Sequence, residues 1–165
     1  MQYACVGVED VSAESAAIEG LYREEGPRLW RALLGYTGDA ETAADTVMEA
    51  FAQLLRRGDA VRDPRRWVWR AAFRIAAGEM QRRRRTSIQA TTEQTYETDE
   101  PAYDLVVALR SLSPRQRAAV VLHHAADYPI REVAAILGST PAAVKVHLMR
   151  GRRRLRELLE EDTDA

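Results

Sequence analysis

Arginine is the residue type through which this sequence could act on another molecule, and it is concentrated in two blocks. Residues 62–85 contain nine arginines, and residues 145–156 contain Lys145 and five arginines without an acid. Between them, residues 86–104 hold five carboxylates and no base. Because guanidinium and ammonium groups bind phosphate oxygens, this pattern predicts two contacts with a polyanion. Solvated helix faces would have the same composition and remain the alternative.

Catalytic and metal-binding patterns are weak. His123 and His124 are adjacent, so on a helix their side chains point about 100° apart and lack a third ligand. Glu41, Asp45 and Glu49 share one helix face, where a solvated face or a protein-docking face is a better explanation than metal binding. No phosphate-binding glycine loop or nucleophile elbow is present. We therefore expect a protein that is not an enzyme and that carries no cofactor and no metal.

Cysteine content and hydropathy predict a cytoplasmic location. The single Cys5 excludes an internal disulfide and fits a reducing compartment. No apolar run approaches the roughly 18–20 residues of a membrane span, and the first residues lack the pattern of a secretion signal. We expect no membrane insertion.

Helical periodicity recurs along the chain, whereas strand signals are nearly absent. The predicted helices lie at about 12–36 with a break at Gly26-Pro27, 39–57, 63–85, 103–110, 113–122, 130–137 and 140–160. Three of them start with a capping residue followed by proline. The fold class expected is all-α, with two small helical domains joined by an extended linker. The expected boundaries are a tail at 1–11, a first domain at 12–85, an acidic linker at 86–104 and a second domain at 105–165.

The sharpest motif is a helix-turn-helix in the second domain. Gly138 permits the turn after the helix 130–137, and Thr140 caps the helix that follows. Pro141, Ala142, Lys145, Val146 and Met149 then face outward at its start, the part of a recognition helix that reaches base edges in DNA. An ordinary antiparallel helix pair with a basic surface is the alternative.

Aromatic residues alternate with arginines at the start of the helix at 63–85. Trp67 and Trp69 stand among Arg65, Arg66, Arg70 and Arg74. Bases of a single strand can stack on such rings while arginines hold phosphates. Trp67 is also in phase with Ala71 and Ile75, which favours a place in the core, and both interpretations remain open.

Residues 109–159 resemble region four of sigma factors of the extracytoplasmic-function (ECF) group. The matching positions are Ser113, Pro114, Arg117, Glu132-Val133-Ala134, Leu137-Gly138, Thr140, Val144-Lys145 and Arg150-Gly151-Arg152, with Gly151 in place of the usual alanine. The resemblance implies recognition of the −35 promoter element. The −35 residues it implies are Arg131, Pro141, Ala142, Lys145, Val146, His147, Arg150 and Arg153. Since Pro141 and Ala142 have no side-chain donor, we expect recognition through Lys145, backbone contacts and DNA shape.

Residues 15–85 resemble region two of the same group. The matches are Leu21-Tyr22, Tyr36-Thr37-Gly38-Asp39, Glu41, Ala44-Asp45, Val47, Glu49-Ala50-Phe51, Asp63-Pro64-Arg65 and Trp67-Val68-Trp69-Arg70. The resemblance implies docking onto the clamp of RNA polymerase through Asp45, Met48 and Glu49. It also implies capture of an unstacked −10 base by Arg62, Trp67, Arg70 and Arg74. Three positions depart from the family pattern: Met48 replaces a glutamine, Phe73-Arg74 an Arg-Asn pair, and Gly78 an aspartate.

The resemblance therefore predicts an ECF-type sigma factor that binds core RNA polymerase at its clamp and flap and starts transcription at specific promoters. An anti-sigma protein is an expectation of the family that no residue here shows. Two alternatives remain: a polymerase-associated adaptor that does not open promoters, and a stand-alone helix-turn-helix regulator.

Overall fold

The computed structural model describes the backbone of residues 8–86 and 100–163, and the side chains of residues 13–86 and 105–159. Within these ranges the regular elements are all helical, which confirms the predicted all-α class. Cys5 and most of the predicted acidic linker lie outside the described residues. The described part of the second half begins with a helix at Glu100, three residues before the predicted start at Tyr103.

The first half consists of three long helices. They are α1 (Val8–Thr37), α2 (Ala40–Arg57) and α3 (Pro64–Thr86), with a short 3₁₀ turn at Gly58–Ala60. The side chain of Asp39 accepts the backbone N–H of Glu41, so it caps α2 as predicted. Asp63 accepts the backbone N–H of Arg66 in the same way at the start of α3.

The predicted break at Gly26-Pro27 is wrong, because α1 continues through Pro27. A proline inside a helix costs about 3 kcal/mol, since its ring removes one hydrogen bond and crowds the preceding turn. Burial of Ile18, Leu29 and Leu33 against the other helices offsets this cost. Tertiary packing therefore outweighs the local signal.

The second half consists of α4 (Glu100–Arg110), α5 (Pro114–Val120), a π-helical turn (Val121–Ala125), α6 (Ile130–Leu137) and α7 (Pro141–Thr163). Ser113 and Gln116 form the predicted capping box at the start of α5. The predicted helix to Leu122 departs from α geometry at Val121, where the π-helical turn begins. α6 has the predicted bounds, and Gly138 after it has a left-handed φ of 59°.

The two halves pack against each other around one continuous core. Buried residues from both halves belong to the same hydrophobic cluster, which extends from Ile18 in α1 to Leu148 in α7. α3 contacts α6, and α1 contacts α4 and the π-helical turn. The interface between the halves therefore stabilises both of them.

Candidate nucleic-acid interface

The start of α7 presents an exposed basic face. Thr140 accepts the backbone N–H of Ala143, and Val144 and Leu148 are buried, which fixes the rotation of the helix. The opposite face is open to solvent, with Val146 40% and Met149 57% exposed. The other exposed candidates on or beside this face are Arg131, Pro141, Ala142, Lys145, Arg150 and Arg153. The helix is thus oriented as a recognition helix would need to be.

His147, also a candidate for −35 binding, lies elsewhere. Its side chain is half-buried and lines a cavity between the two halves, together with Arg74 and Ser139. Burial and the nearby charges of Arg115 and Arg150 lower the pKa of His147. The structure therefore separates His147 from the outward face of α7.

A second feature is a pocket of about 260 Å³ at the start of α3. It is lined by Arg57, Ala60, Val61, Arg62, Asp63, Arg66, Trp67 and Arg70. The guanidinium carbon of Arg57 lies 5.4 Å from the ring centroid of Trp67, a cation–π contact. An aromatic ring among arginines suits an unstacked base and its phosphates. Trp67 is only partly buried, so it contacts the core and still lines this pocket.

Trp69 belongs entirely to the core, and a stacking role for it is wrong. Its side chain is 0% exposed, and its indole N–H donates to Glu25 Oε2 at 2.8 Å. Its ring contacts Phe73 and, edge to face, Tyr128 of the second half at 4.9 Å between centroids. Alternation of tryptophans along a helix does not reveal which of the two is buried.

Arg70 and Arg74 remain exposed on α3 but differ in position. Arg70 borders both the Trp67 pocket and the cavity between the halves, whereas Arg74 lines only the latter. Phe73 is 3% exposed and stacks against Tyr36 and Trp69. The structure thus brings Arg62, Trp67 and Arg70 together and leaves Arg74 apart from them.

Of the predicted docking residues, Met48 lines an apolar groove between α1 and α2, whereas Asp45 and Glu49 do not line it. The groove has a volume of about 550 Å³ and includes Tyr22, Trp30, Val47 and Met48. Met48 is 60% exposed, and its Sδ accepts the Tyr22 hydroxyl at 3.8 Å. Sequence reasoning missed Tyr22 and Trp30 as groove residues, although Tyr22 stood in the matched motif.

Acidic side chains flank this groove. Asp45 and Glu49 are exposed on the same helix as Met48. A hydrogen bond from Gln53, with the charge and hydrogen bond of Arg56, lowers the pKa of Glu49, so this carboxylate stays charged. The charged residues that line the groove itself are Arg23 and Arg31, and the carboxylates of α2 lie outside it.

The contacts that hold the halves together were not predicted. The guanidinium of Arg117 is buried and donates to the backbone oxygens of Tyr36, Arg110 and Leu112. Arg110 donates to the Gly38 oxygen, and Arg28 to the Ala126 oxygen. Arg66 forms a two-pronged pair with Glu132, with Nε 2.9 Å from Oε2. Arg117, Tyr36, Gly38 and Glu132 all stood in the matched motifs, but the motifs did not indicate that these residues pair across the halves.

Metal-binding clusters and membrane-spanning helices are both absent from the described part of the chain. These residues contain no cluster of three or more His, Cys, Asp or Glu side chains that could hold a metal ion. His123 instead places Nδ1 2.8 Å from the backbone oxygen of Tyr128. None of the described helices is both long and apolar enough to cross a membrane.

Comparison with protein families matches residues 103–155 to the family described as Sigma-70, region 4. This range contains the helix-turn-helix and its capping box. The RNA polymerase sigma-E factor of Streptomyces antibioticus is 30% identical over 166 residues, covering 92% of this chain and 90% of the relative. The ECF RNA polymerase sigma factor SigL of Mycobacterium tuberculosis is 28% identical over 164 residues, covering 91% and 93%.

A solved structure shares the fold. The sigma factor RpoE of Bartonella quintana, solved with the anti-sigma factor NepR, superposes with a TM-score of 0.71 at 22% identity. The match covers 93% of this chain and 98% of that chain. The arrangement of helices described above thus has a counterpart among solved structures.

Proposed function

The chain belongs to the extracytoplasmic-function group of RNA polymerase sigma factors, and on that premise we propose that it directs promoter-specific initiation by binding the −35 duplex and opening the −10 element. It does so in the cytoplasm as a subunit of the polymerase, without a catalytic reaction of its own. The observation that carries the proposal is the presence, on one chain, of an exposed basic recognition helix and a base-sized pocket beside Trp67.

The −35 duplex is bound by α7 inserted into the major groove. Lys145, Arg150 and Arg153 supply charge, while Pro141 and Ala142 allow the backbone to approach closely. Because these small residues cannot donate hydrogen bonds to bases, DNA shape contributes to the choice of sequence.

The −10 element is held at the start of α3. Removing a base from the stack costs a few kcal/mol, and stacking on Trp67 with phosphate contacts to Arg62 and Arg70 offsets that cost. The presence of Arg74 in place of the family's asparagine removes a side chain that can read a base edge. We therefore expect a −10 preference that differs from that of relatives with the asparagine.

Core polymerase docks on the groove between α1 and α2. Met48 and Tyr22 supply apolar contact, and Asp45 and Glu49 face basic residues of the clamp. The polymerase flap contacts the second half. An anti-sigma protein is a further proposed partner, since the Bartonella relative was solved with one.

A polymerase-bound adaptor and a stand-alone regulator are the competing functions. A regulator has no need of the Met48 groove, and an adaptor has no need of the Trp67 pocket. Titration of core polymerase with the wild-type chain and a Met48→Lys variant tests docking, and we expect at least a tenfold loss of affinity for the variant. Wild-type binding that is absent, or equal to that of the variant, argues against the sigma function.

Binding of the −35 duplex is tested by titration at several salt concentrations. Lys145→Ala should weaken binding and reduce the slope of log K against log salt by about 1, because one phosphate contact is lost. The control is Arg23→Ala, which removes an exposed arginine of α1 paired with Glu19 and should leave the slope unchanged. An unchanged slope for Lys145→Ala would contradict the contact.

A further inference from the structure

The cavity between the two halves has a volume of about 570 Å³. One wall is α3, and the other is formed by α5, the turn after α6, and α7. The lining residues are Tyr36, Arg70, Phe73, Arg74, Ala77, Gln81, Pro114, Arg115, Ala118, Ile136, Leu137, Gly138, Ser139 and His147. This volume lies within the range of about 300–1,000 Å³ typical of sites for small molecules.

The charge of this cavity is uniformly positive. Arg70 and Arg74 contribute from one half and Arg115 from the other, while the lining includes no carboxylate. None of the three forms an ion pair with another side chain in the described ranges. Four other arginines of α3, namely Arg65, Arg66, Arg82 and Arg83, pair with acids, whereas Arg84 and Arg85 form no ion pair in the described ranges. Unlike the four paired arginines, the cavity arginines retain their capacity to bind an anion.

The pKa of His147 is lowered in part by positive charges near the cavity. Burial is the largest cause that lowers the pKa of His147, and the charges of Arg115 and Arg150 lower it further. Arg70, Arg74 and Arg115 are exposed, so water weakens the repulsion between their like charges without removing it. An anion placed between them would remove that repulsion.

The cavity also has apolar walls. Pro114 and Leu137 are partly buried and Ala77 is exposed, so these residues offer apolar surface to a ligand. Phe73, Ala118 and Ile136 also line the cavity but are each only 3% exposed. An inorganic ion alone would leave this surface without contact. A molecule with both anionic groups and a flat apolar part fits better.

We propose that this cavity is a binding site for a small polyanion of the nucleoside di- or triphosphate class. Guanidinium groups bind phosphate oxygens in a two-pronged geometry, and a ligand with two or more phosphate groups can bind arginines on both walls. The base lies against the apolar wall. Only His147 of α7 lines this site, which lies apart from the outward face of α7 that carries Lys145 and Val146.

Occupation of the site has a structural consequence. The phosphates neutralise charges from both halves at once, so the ligand stabilises the packed arrangement of the halves. It also occupies Arg70 and Arg74, which makes these side chains less available to DNA.

Isothermal titration of the full chain with ATP, GTP and inorganic triphosphate tests the proposal. We expect saturable binding of one nucleotide per chain and weaker binding of triphosphate, which lacks a base. Arg115→Ala and Arg74→Ala, on opposite walls, should each weaken nucleotide binding at least tenfold. Arg156→Ala, an exposed arginine of α7 outside the cavity, is the matched control and should stay within twofold of the wild type.

Several outcomes would overturn the proposal. A Kd above about 1 mM for all three probes would contradict the presence of a binding site. If Arg156→Ala weakened nucleotide binding as much as the two cavity variants, binding would reflect general attraction to a basic surface. If triphosphate bound as tightly as the nucleotides, the apolar wall would have no role in binding. A single-stranded oligonucleotide that displaces the nucleotide and shows the same loss in Arg115→Ala would assign the cavity to nucleic acid instead. Arg74 and Arg115 are exposed and lie on different helices, so a folding defect in one variant does not affect the other. Either variant alone can therefore test the proposal.

Discussion

At the scale of single residues, Glu25 is an acidic side chain buried in the core of the first half. Its side chain is 1% exposed, and its oxygens accept the indole N–H of Trp69 and lie 3.2 Å from Arg65 Nη2 and 3.7 Å from Arg28 Nη1. A buried carboxylate is tolerated only when its oxygens are satisfied in this way. Arg28 also donates to the Ala126 oxygen, so this network reaches the second half.

Replacing Glu25 by alanine should destabilise the protein by roughly 1–3 kcal/mol. The change leaves a buried indole N–H without an acceptor, and an unpaired buried donor incurs its full desolvation cost. Urea unfolding followed by tryptophan fluorescence measures the change in free energy.

Glu24→Ala is the matched control, because Glu24 pairs with the same Arg65 but is 64% exposed. An exposed pair contributes less than about 1 kcal/mol. Equal losses in the two variants would contradict the role assigned to burial.

At the scale of elements, two glycines within helices differ in the space around them: one is tightly packed and the other is open. Gly151 lies where α7 crosses α5, and a Cβ there would be 2.8 Å from Val120 Cγ2. Gly78 lies in α3 with nothing within 4 Å of an added Cβ. The family pattern has alanine at the first position, whereas the glycine of this chain leaves room for the side chain of Val120.

Alanine should therefore destabilise the protein at one site and stabilise it at the other. Gly151→Ala forces α5 and α7 apart and should cost roughly 1–3 kcal/mol. Gly78→Ala should add about 0.5–1 kcal/mol, because alanine loses less backbone entropy on forming a helix. Thermal and urea unfolding of both variants check the signs, and a stabilising Gly151→Ala would refute the close crossing.

Local signals in the sequence were enough to predict the ends of most helices. Asp39, Asp63, Ser113 and Thr140 all cap the helices they were expected to cap, because a cap depends on only a few neighbouring residues. Pro27 shows the limit, since packing with distant helices overrides its local preference. The buried Trp69 and the half-buried His147 could not be predicted, because their positions depend on how the two halves pack.

At the scale of the whole molecule, the closed packing of the halves links their stabilities. Arg66 and Glu132 are 49% and 33% exposed, so this pair contributes little by itself. The buried contacts of Trp69 with Tyr128 and of Arg117 with Tyr36 contribute more. Both halves should then unfold together.

Tryptophan fluorescence can test this cooperativity, since Trp30, Trp67 and Trp69 all lie in the first half. Circular dichroism reports the helices of both halves. We expect the two signals to have the same urea midpoint, and Val144→Ala in the second half to lower the tryptophan midpoint as well. A dichroism transition that is separate from the fluorescence transition would show that the halves fold independently.

Run-off transcription with reconstituted core RNA polymerase tests the central claim most directly. Templates randomised over the −35 and −10 elements serve as substrate, and selection of the transcribed templates identifies the promoter. The wild-type chain should yield transcripts from a defined promoter sequence, and Trp67→Ala should reduce their yield roughly 5- to 150-fold, since stacking of one base contributes about 1–3 kcal/mol. A chain that binds core polymerase but yields no transcript above core polymerase alone would contradict promoter opening and identify an adaptor.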